Sequence, residues 1–177
     1  MKRLIWLSLI CLAAPIAARA QGTVANPVAT SVQEMFNRQS KLIVAAVDEM
    51  PADKFGYHPT PEQMTFGKIV SHVAGVNYFV CSMISGTPAP KDVKVSETDP
   101  KDKLQTALQS SFDFCSQAVS TLQDSKLGDT ITFFGGRKAP RARAVLELVA
   151  DLSDHYSQMA GYLRLNGLLP PSAQPKK

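Results

Sequence analysis

Apolar residues recur every three or four positions in four long segments of this chain. That spacing places them along one face of an α-helix and leaves the other faces polar. Pro51, Gly86 and Gly167 each follow an apolar stripe, and such residues commonly end helices. The pattern predicts four helices, over residues 31–50, 66–85, about 99–122 and 140–166.

Local signals mark the helix starts and the connections. Thr65 is a start signal for the second helix, and Asp99 is predicted to cap the third, with Pro100 in its first turn. Pro59 and Pro61 would interrupt a strand, so residues 51–64 are interpreted as a structured connection. Residues 128–138 are predicted to form a short extended stretch that ends in a glycine turn; they lack the spacing of a phosphate-binding loop.

One-sided apolar stripes on four helices are best buried in an all-α four-helix bundle. The chain shows no internal repeat and no second domain, so residues 31–171 are predicted to form one domain. Residues 21–30 are predicted to be a flexible N-terminal tail, and residues 172–177 a disordered C-terminal tail. Periodicity alone leaves the order in which the helices wind open.

Residues 1–20 have the pattern of a signal peptide. A short basic start precedes an apolar run, and Ala18-Arg19-Ala20 matches an A-x-A cleavage site. The run is short for a membrane span of about 20 residues, and Pro15 interrupts it. The mature chain is therefore expected to begin at Gln21 and to be exported, periplasmic or secreted, with no membrane attachment after cleavage.

The net charge of +4 depends on this leader, which carries three basic residues and no acid. Without residues 1–20 the net charge is +1, a value that gives no support for binding to nucleic acid or to an anionic membrane.

Two cysteines, Cys81 and Cys115, remain after the leader is removed. An oxidising compartment favours pairing of two such thiols, and a disulfide is feasible if the second and third helices are neighbours. The alternative is that both are inert, buried thiols.

The last helix carries the residues most suggestive of chemistry. Asp151 and His155 are four positions apart, so they lie on one face of the helix, in line with core residues. A carboxylate and an imidazole facing an apolar interior need a partner, either a divalent metal or each other. His72 borders the apolar stripe of the second helix, and considered on that helix alone it is better explained as a hydrogen-bonded core histidine.

Three segments of the chain resemble the DinB-like (DinB/YfiT) superfamily, over most of residues 31–171. They are FGYHPTPE at residues 55–62, TFGKIVSHVA at residues 65–74, and HYSQ at residues 155–158 followed by YLRLNG at residues 162–167 and two prolines at 170–171. This family is distinct from the DNA polymerase that shares part of its name. The resemblance implies an up-down-down-up arrangement of the four helices.

The resemblance also implies a divalent metal, usually zinc or nickel, held by three side chains. His72 matches the family histidine of the second helix, and His155 matches the second histidine of an H-x-x-x-H pair in the last helix. Asp151 stands where the family usually has the first histidine of that pair. Two histidines and a carboxylate still form a competent metal site. In the alternative reading, Asp151 only orients His155 and the metal has been lost.

By resemblance, the first functional hypothesis is a metal-dependent transferase or hydrolase that acts on a small molecule, because relatives include thiol-dependent transferases and isomerases. Gln158 is expected to contact a bound ligand, or else to be an ordinary surface amide. The alternative hypotheses are a non-catalytic exported bundle that binds a metal or small ligand, and a bundle that has lost its metal site. A homodimer is common among small bundles, but no residue pattern here supports one.

Overall fold

The computed structural model describes residues 23–175 as four long helices and one small hairpin. The predicted leader, its cleavage site before Gln21 and the last two lysines lie outside these described residues. Short 3₁₀ turns occur in the connections and after the last helix, at residues 52–54, 124–126, 134–136 and 171–173. The main elements are helices α1 (Pro27–Glu49), α2 (Phe66–Ser85), α3 (Lys101–Ser120) and α4 (Arg141–Leu165), and strands β1 (Thr130–Thr132) and β2 (Lys138–Pro140).

Helices α2 and α3 run parallel to each other. The Asn77 side chain donates to Ser111 Oγ at 3.0 Å, and Cys81 is bonded to Cys115; both contacts join residues 34 positions apart. A constant separation along two helices means that they point the same way. The connection from α2 to α3 must therefore travel back along the bundle, which explains why residues 86–100 exceed a minimal helix hairpin.

Helices α2 and α4 run antiparallel. Tyr162, near the end of α4, donates its hydroxyl to the carbonyl of Met64, just before α2, at 2.9 Å. At the other end, Arg141 donates to the carbonyl of Ile84. The start of α4 therefore lies beside the end of α2.

Helix α1 is antiparallel to α3, since Gln33 near its start donates to the carbonyl of Val119 and Asp48 near its end accepts from Gln105. Gln39 meets Ser153 at the middle of α1 and α4. The order is up-down-down-up, which confirms the arrangement that the family resemblance implies. The side chains between the helices form one continuous apolar core, including Phe36, Ile43, Phe66, Ile69, Leu104, Leu108, Leu148, Leu152, Met159 and Leu163.

The returning connection packs closely over the start of α2 at Gly67. A Cβ atom added there would lie 2.6 Å from the carbonyl oxygen of Glu97 and 3.3 Å from that of Phe55. Both distances are shorter than ordinary contacts, so the backbone approach depends on a residue without a side chain.

Helix α1 begins at Pro27, four residues before the predicted start at Ser31, so residues 27–30 are helical rather than part of a flexible tail. The cause is a distant residue: the Asp124 carboxylate accepts hydrogen bonds from the backbone N–H groups of Val28 (3.1 Å) and Ala29 (2.8 Å). A carboxylate at this position satisfies N–H groups that have no partner within the helix.

The start of α3 and the C-terminal tail also differ from expectation. Pro100 flanks the first residue of α3, and Asp99 makes no capping bond to the helix. Its carboxylate accepts from the backbone N–H of Ser96 at 2.8 Å and pairs with Lys103 at 2.9 Å; these contacts lower the pKa of Asp99. In the predicted disordered tail, Ser172 lies in a 3₁₀ turn and donates its N–H to the Tyr156 hydroxyl at 2.8 Å.

The extended stretch before α4 forms one half of a small antiparallel hairpin, in which Ile131 pairs with Ala139. Gly135 and Gly136 make the turn with φ angles of +67° and +77°, a region that favours glycine. Across residues 23–175, no helix combines the length and the apolar character that a membrane crossing requires.

Candidate metal centre

His72, Asp151 and His155 meet where α2 lies against α4. His72 is in the second turn of α2, while Asp151 and His155 occupy successive turns in the middle of α4. Because the two helices are antiparallel neighbours, the facing turns bring these side chains together. The histidine that α2 alone suggests is a core residue therefore lies beside both polar residues of the last helix.

The Asp151 carboxylate lies between the two imidazoles. Its Oδ1 atom is 3.4 Å from Nε2 of His155 and 3.6 Å from Nε2 of His72. The two rings meet edge to face, with centroids 4.7 Å apart and an interplanar angle of 70°. Each residue offers a ligand atom, and these atoms all lie within 4.8 Å of one another.

These distances fit a shared cation better than direct hydrogen bonds. An N–H···O bond is typically 2.7–3.2 Å long, shorter than either contact to Asp151. Ligands about 2.1 Å from a tetrahedral metal are separated by about 3.4 Å, which is close to both observed contacts. Among residues 23–175, the buried Asp151 Oδ2 has no hydrogen-bond partner, a costly state that favours an additional bound group.

The three side chains differ in how far they are exposed to solvent. The exposed fraction is 38% for His72, 17% for Asp151 and 6% for His155. Burial has the largest single effect on the pKa of His155 and lowers it, but the attraction of Asp151, followed by contributions from Asp154 and Gln158, outweighs burial and raises the pKa. A proton therefore competes with any metal ion for the imidazole of His155.

The matching family model, described as the DinB superfamily, covers residues 35–159. This is most of the chain and includes all three residues of the site. The chain belongs to the DinB superfamily.

Solved structures share the DinB fold at low sequence identity. A DinB-like protein from Bacillus cereus is 18% identical, with a TM-score of 0.66 over 80% of this chain and 95% of that one. A DinB-like protein from Bacillus subtilis is also 18% identical, with a TM-score of 0.65 over 82% of this chain and 99% of that one. No curated protein matches the chain.

A mycothiol-dependent maleylpyruvate isomerase has the same fold over part of its length. It is 14% identical, with a TM-score of 0.61, and the match covers 77% of this chain and 63% of the isomerase. The DinB chain thus spans less than two thirds of that enzyme, and identity at this level shows the fold alone.

Gln158, the expected ligand-contacting residue of this DinB chain, lies beside the site. Its Nε2 donates to Asp154 Oδ2 at 2.9 Å, and its amide contributes to the raised pKa of His155. Asp154 is exposed, one position away from His155 and outside the group of three. His58, for which the sequence suggests no role, is exposed in the connection before α2, where its Nδ1 lies 2.6 Å from the carbonyl oxygen of Thr60.

Cys81 and Cys115 form a disulfide between α2 and α3, with Cα atoms 5.2 Å apart. Both side chains are fully buried. The bond lies two turns or more along α2 from His72, so it supports the helix that carries the histidine and takes no part in the group of three.

One charged pair near the start of α2 has no counterpart in the sequence-based expectations. Lys68 Nζ lies 2.8 Å from Glu97 Oε2. Lys68 precedes His72 by four residues and hence shares its face of α2. That spacing is a signal the sequence does carry for Lys68, whereas Glu97 reaches Lys68 through the long returning connection, which no local pattern specifies.

Proposed function

We propose that this chain is a divalent-metal-dependent enzyme acting on a small molecule, as a transferase or hydrolase, with His72, Asp151 and His155 as the metal ligands. The observation that carries this proposal is the convergence of the three donor atoms within 4.8 Å, with Asp151 Oδ1 3.4 Å and 3.6 Å from the two imidazole nitrogens. The proposed ion is zinc or nickel, both of which suit imidazole ligands.

Each residue has a distinct part in this proposal. His155 is the buried anchor, His72 forms the solvent-facing edge, and Asp151 supplies the negative charge between them. His72, Asp151 and His155 would hold the divalent ion, which would supply Lewis-acid chemistry that lowers the pKa of a thiol or water. Because His72 is the most exposed of the three, a small molecule reaches the site from the side of His72.

The proposed partner is a small-molecule substrate, with a thiol as one candidate. The likeness in fold to a mycothiol-dependent isomerase supports the thiol, although at 14% identity it bears on the fold only. An oxidising compartment opposes it, because reduced small thiols are scarce there. For an exported protein we therefore favour hydrolysis, which needs only water, over a reaction that needs a reduced small thiol.

Export itself is part of the proposal. Two observations support it: the signal-peptide pattern of residues 1–20 and the disulfide between Cys81 and Cys115. Structural disulfides persist in exported proteins and are rare in reducing compartments.

Metal analysis tests the ligand set. The purified chain is stripped with a chelator, reconstituted with zinc or nickel, dialysed and analysed by mass spectrometry for metal content. We expect one ion per chain in the wild type, loss of binding in His155→Ala, and full binding in His58→Ala, which removes an exposed histidine outside the group. A wild-type chain that retains no ion, or a His155→Ala chain that retains all of it, contradicts the proposal.

A bundle that has lost its metal site is the second candidate, and one observation favours it. Burial lowers the pKa of His155, but Asp151, whose Oδ1 lies 3.4 Å from His155 Nε2, raises it, so the two side chains stabilise each other without a metal. The same measurement separates the two candidates, because only the metal-dependent enzyme requires stoichiometric binding.

A further inference from the structure

We infer that Asp151 reduces the preference of this centre for the softer ions Zn²⁺ and Ni²⁺ over Mn²⁺. The comparison is with the same centre carrying an imidazole at position 151. This inference rests on the proposed metal binding by His72, Asp151 and His155. It concerns which ion the centre favours, a property that follows from the donor atoms of this chain.

The first argument is the type of donor. Carboxylate oxygens suit hard ions such as Mn²⁺, whereas imidazole nitrogens suit zinc, nickel and copper. Asp151 Oδ1 lies 3.4 Å from His155 Nε2 and 3.6 Å from His72 Nε2, so an ion held by the two nitrogens would also be within reach of this oxygen. The carboxylate is thus a member of the ligand set and not a distant charge.

The second argument is the other oxygen of the same carboxylate. Asp151 Oδ2 is buried and has no hydrogen-bond partner among residues 23–175. A carboxylate can bind an ion through one or both oxygens. The second oxygen offers an additional ligand to ions that take more than four, whereas zinc in proteins is usually four-coordinate. An imidazole at position 151 would offer one nitrogen and no second donor to the same ion.

The third argument bounds the effect. Affinity in a site of nitrogen and oxygen donors rises from Mn²⁺ to Ni²⁺, and Zn²⁺ also lies above Mn²⁺, whatever the details of the site. Asp151 therefore does not reverse the order of affinities. It changes the ratio of the Mn²⁺ and Zn²⁺ dissociation constants, which is the quantity to measure.

The experiment compares that ratio in four chains: wild type, Asp151→His, Asp151→Asn and Asp154→Asn. Zn²⁺ affinity is measured by competition with a chromophoric chelator, and bound Mn²⁺ by electron paramagnetic resonance. We expect Asp151→His to raise the preference for Zn²⁺ over Mn²⁺ by at least about tenfold. Asp151→Asn keeps the shape of the side chain but loses the charge, so it is expected to weaken Mn²⁺ binding by about tenfold or more.

Asp154→Asn is the matched control, because it removes a carboxylate one residue from His155 that lies outside the group of three. We expect its metal ratio to stay within about threefold of the wild type, since screened surface charges have small effects. An equal shift in Asp154→Asn and Asp151→Asn would overturn the inference by showing that general charge, not coordination, sets the ratio.

The remaining outcomes separate this inference from the proposed function. If the wild type binds both ions and Asp151→His leaves their ratio unchanged, the inference is wrong while metal binding stands. If the wild type binds neither ion, the proposed function fails, and the inference fails with it. Circular dichroism of each chain checks folding, and Asp151→Asn provides a near-isosteric test if Asp151→His fails to fold.

Discussion

Reducing the disulfide is expected to destabilise the bundle by several kcal/mol. Cys81 and Cys115 are separated by 34 residues and join α2 to α3. In the chain-entropy description, closing a loop of that size lowers the entropy of the unfolded chain by an amount worth roughly 3.8 kcal/mol at 25 °C. Typical domains are stable by about 5–15 kcal/mol, so the bond accounts for a large share of the total.

The assay is urea unfolding monitored by far-UV circular dichroism. It compares oxidised protein with protein that has been reduced while unfolded and then refolded. Reduction removes the cross-link and keeps both sulfur atoms, so it isolates the effect of loop closure. We expect the free energy of unfolding to fall by about 4 kcal/mol and the melting temperature to fall by about 10 °C.

The double variant Cys81→Ala/Cys115→Ala extends the test. Both side chains are fully buried, so alanine also removes packing contacts, and the variant is expected to be less stable than the reduced wild type. A reduced chain within about 1 kcal/mol of the oxidised chain would refute the reasoning, because loop closure of this length predicts a clearly larger effect.

Three further predictions concern the bundle and the charge of its site. Gly67→Ala is expected to lower the free energy of unfolding in urea by about 1–3 kcal/mol, because the new Cβ would lie 2.6 Å from the carbonyl oxygen of Glu97. Gly75→Ala, in the same helix with open space around it, is expected to raise the free energy of unfolding by about 1 kcal/mol. Equal effects of the two substitutions would contradict the packing argument. Asp124→Ala is expected to lower the free energy of unfolding by about 1 kcal/mol by uncapping α1, and an unchanged stability would show that the cap contributes nothing. The folded state raises the pKa of His155, so protonation of His155 stabilises the metal-free protein below the unfolded pKa of about 6.5. This contribution is lost as pH rises through the higher pKa of the folded state. The free energy of unfolding, measured from about pH 5 to 9, is expected to show this loss in the wild type and not in His155→Gln.

The helices were predictable because each has a one-sided apolar stripe and a local stop signal. Gly86 ends α2 at the predicted residue, with a φ angle of +77°, and Thr65 caps its start by accepting from the N–H of Lys68. The start of α1 was not predictable, because its cap is Asp124, almost 100 residues away in sequence. Local patterns report local capping, and a cap supplied by another part of the fold leaves no such pattern.

The candidate site divides in the same way. Helical spacing alone places Asp151 and His155 on one face, and the structure shows both on that face. His72 could not be assigned from α2 alone, where an isolated histidine beside apolar residues fits a core position. Its proximity to Asp151 depends on the antiparallel packing of α2 and α4, a property of the winding order that periodicity leaves open and the family resemblance supplied.

The central claim is that His72, Asp151 and His155 together bind one divalent ion, and anomalous X-ray diffraction tests it most directly. Crystals of zinc-reconstituted protein are measured on both sides of the zinc absorption edge. The account predicts a single anomalous peak per chain, about 2.0–2.2 Å from a nitrogen of each histidine and from an oxygen of Asp151. A fully reconstituted protein with no peak between α2 and α4, or with a peak that excludes any one of these three residues, would contradict it.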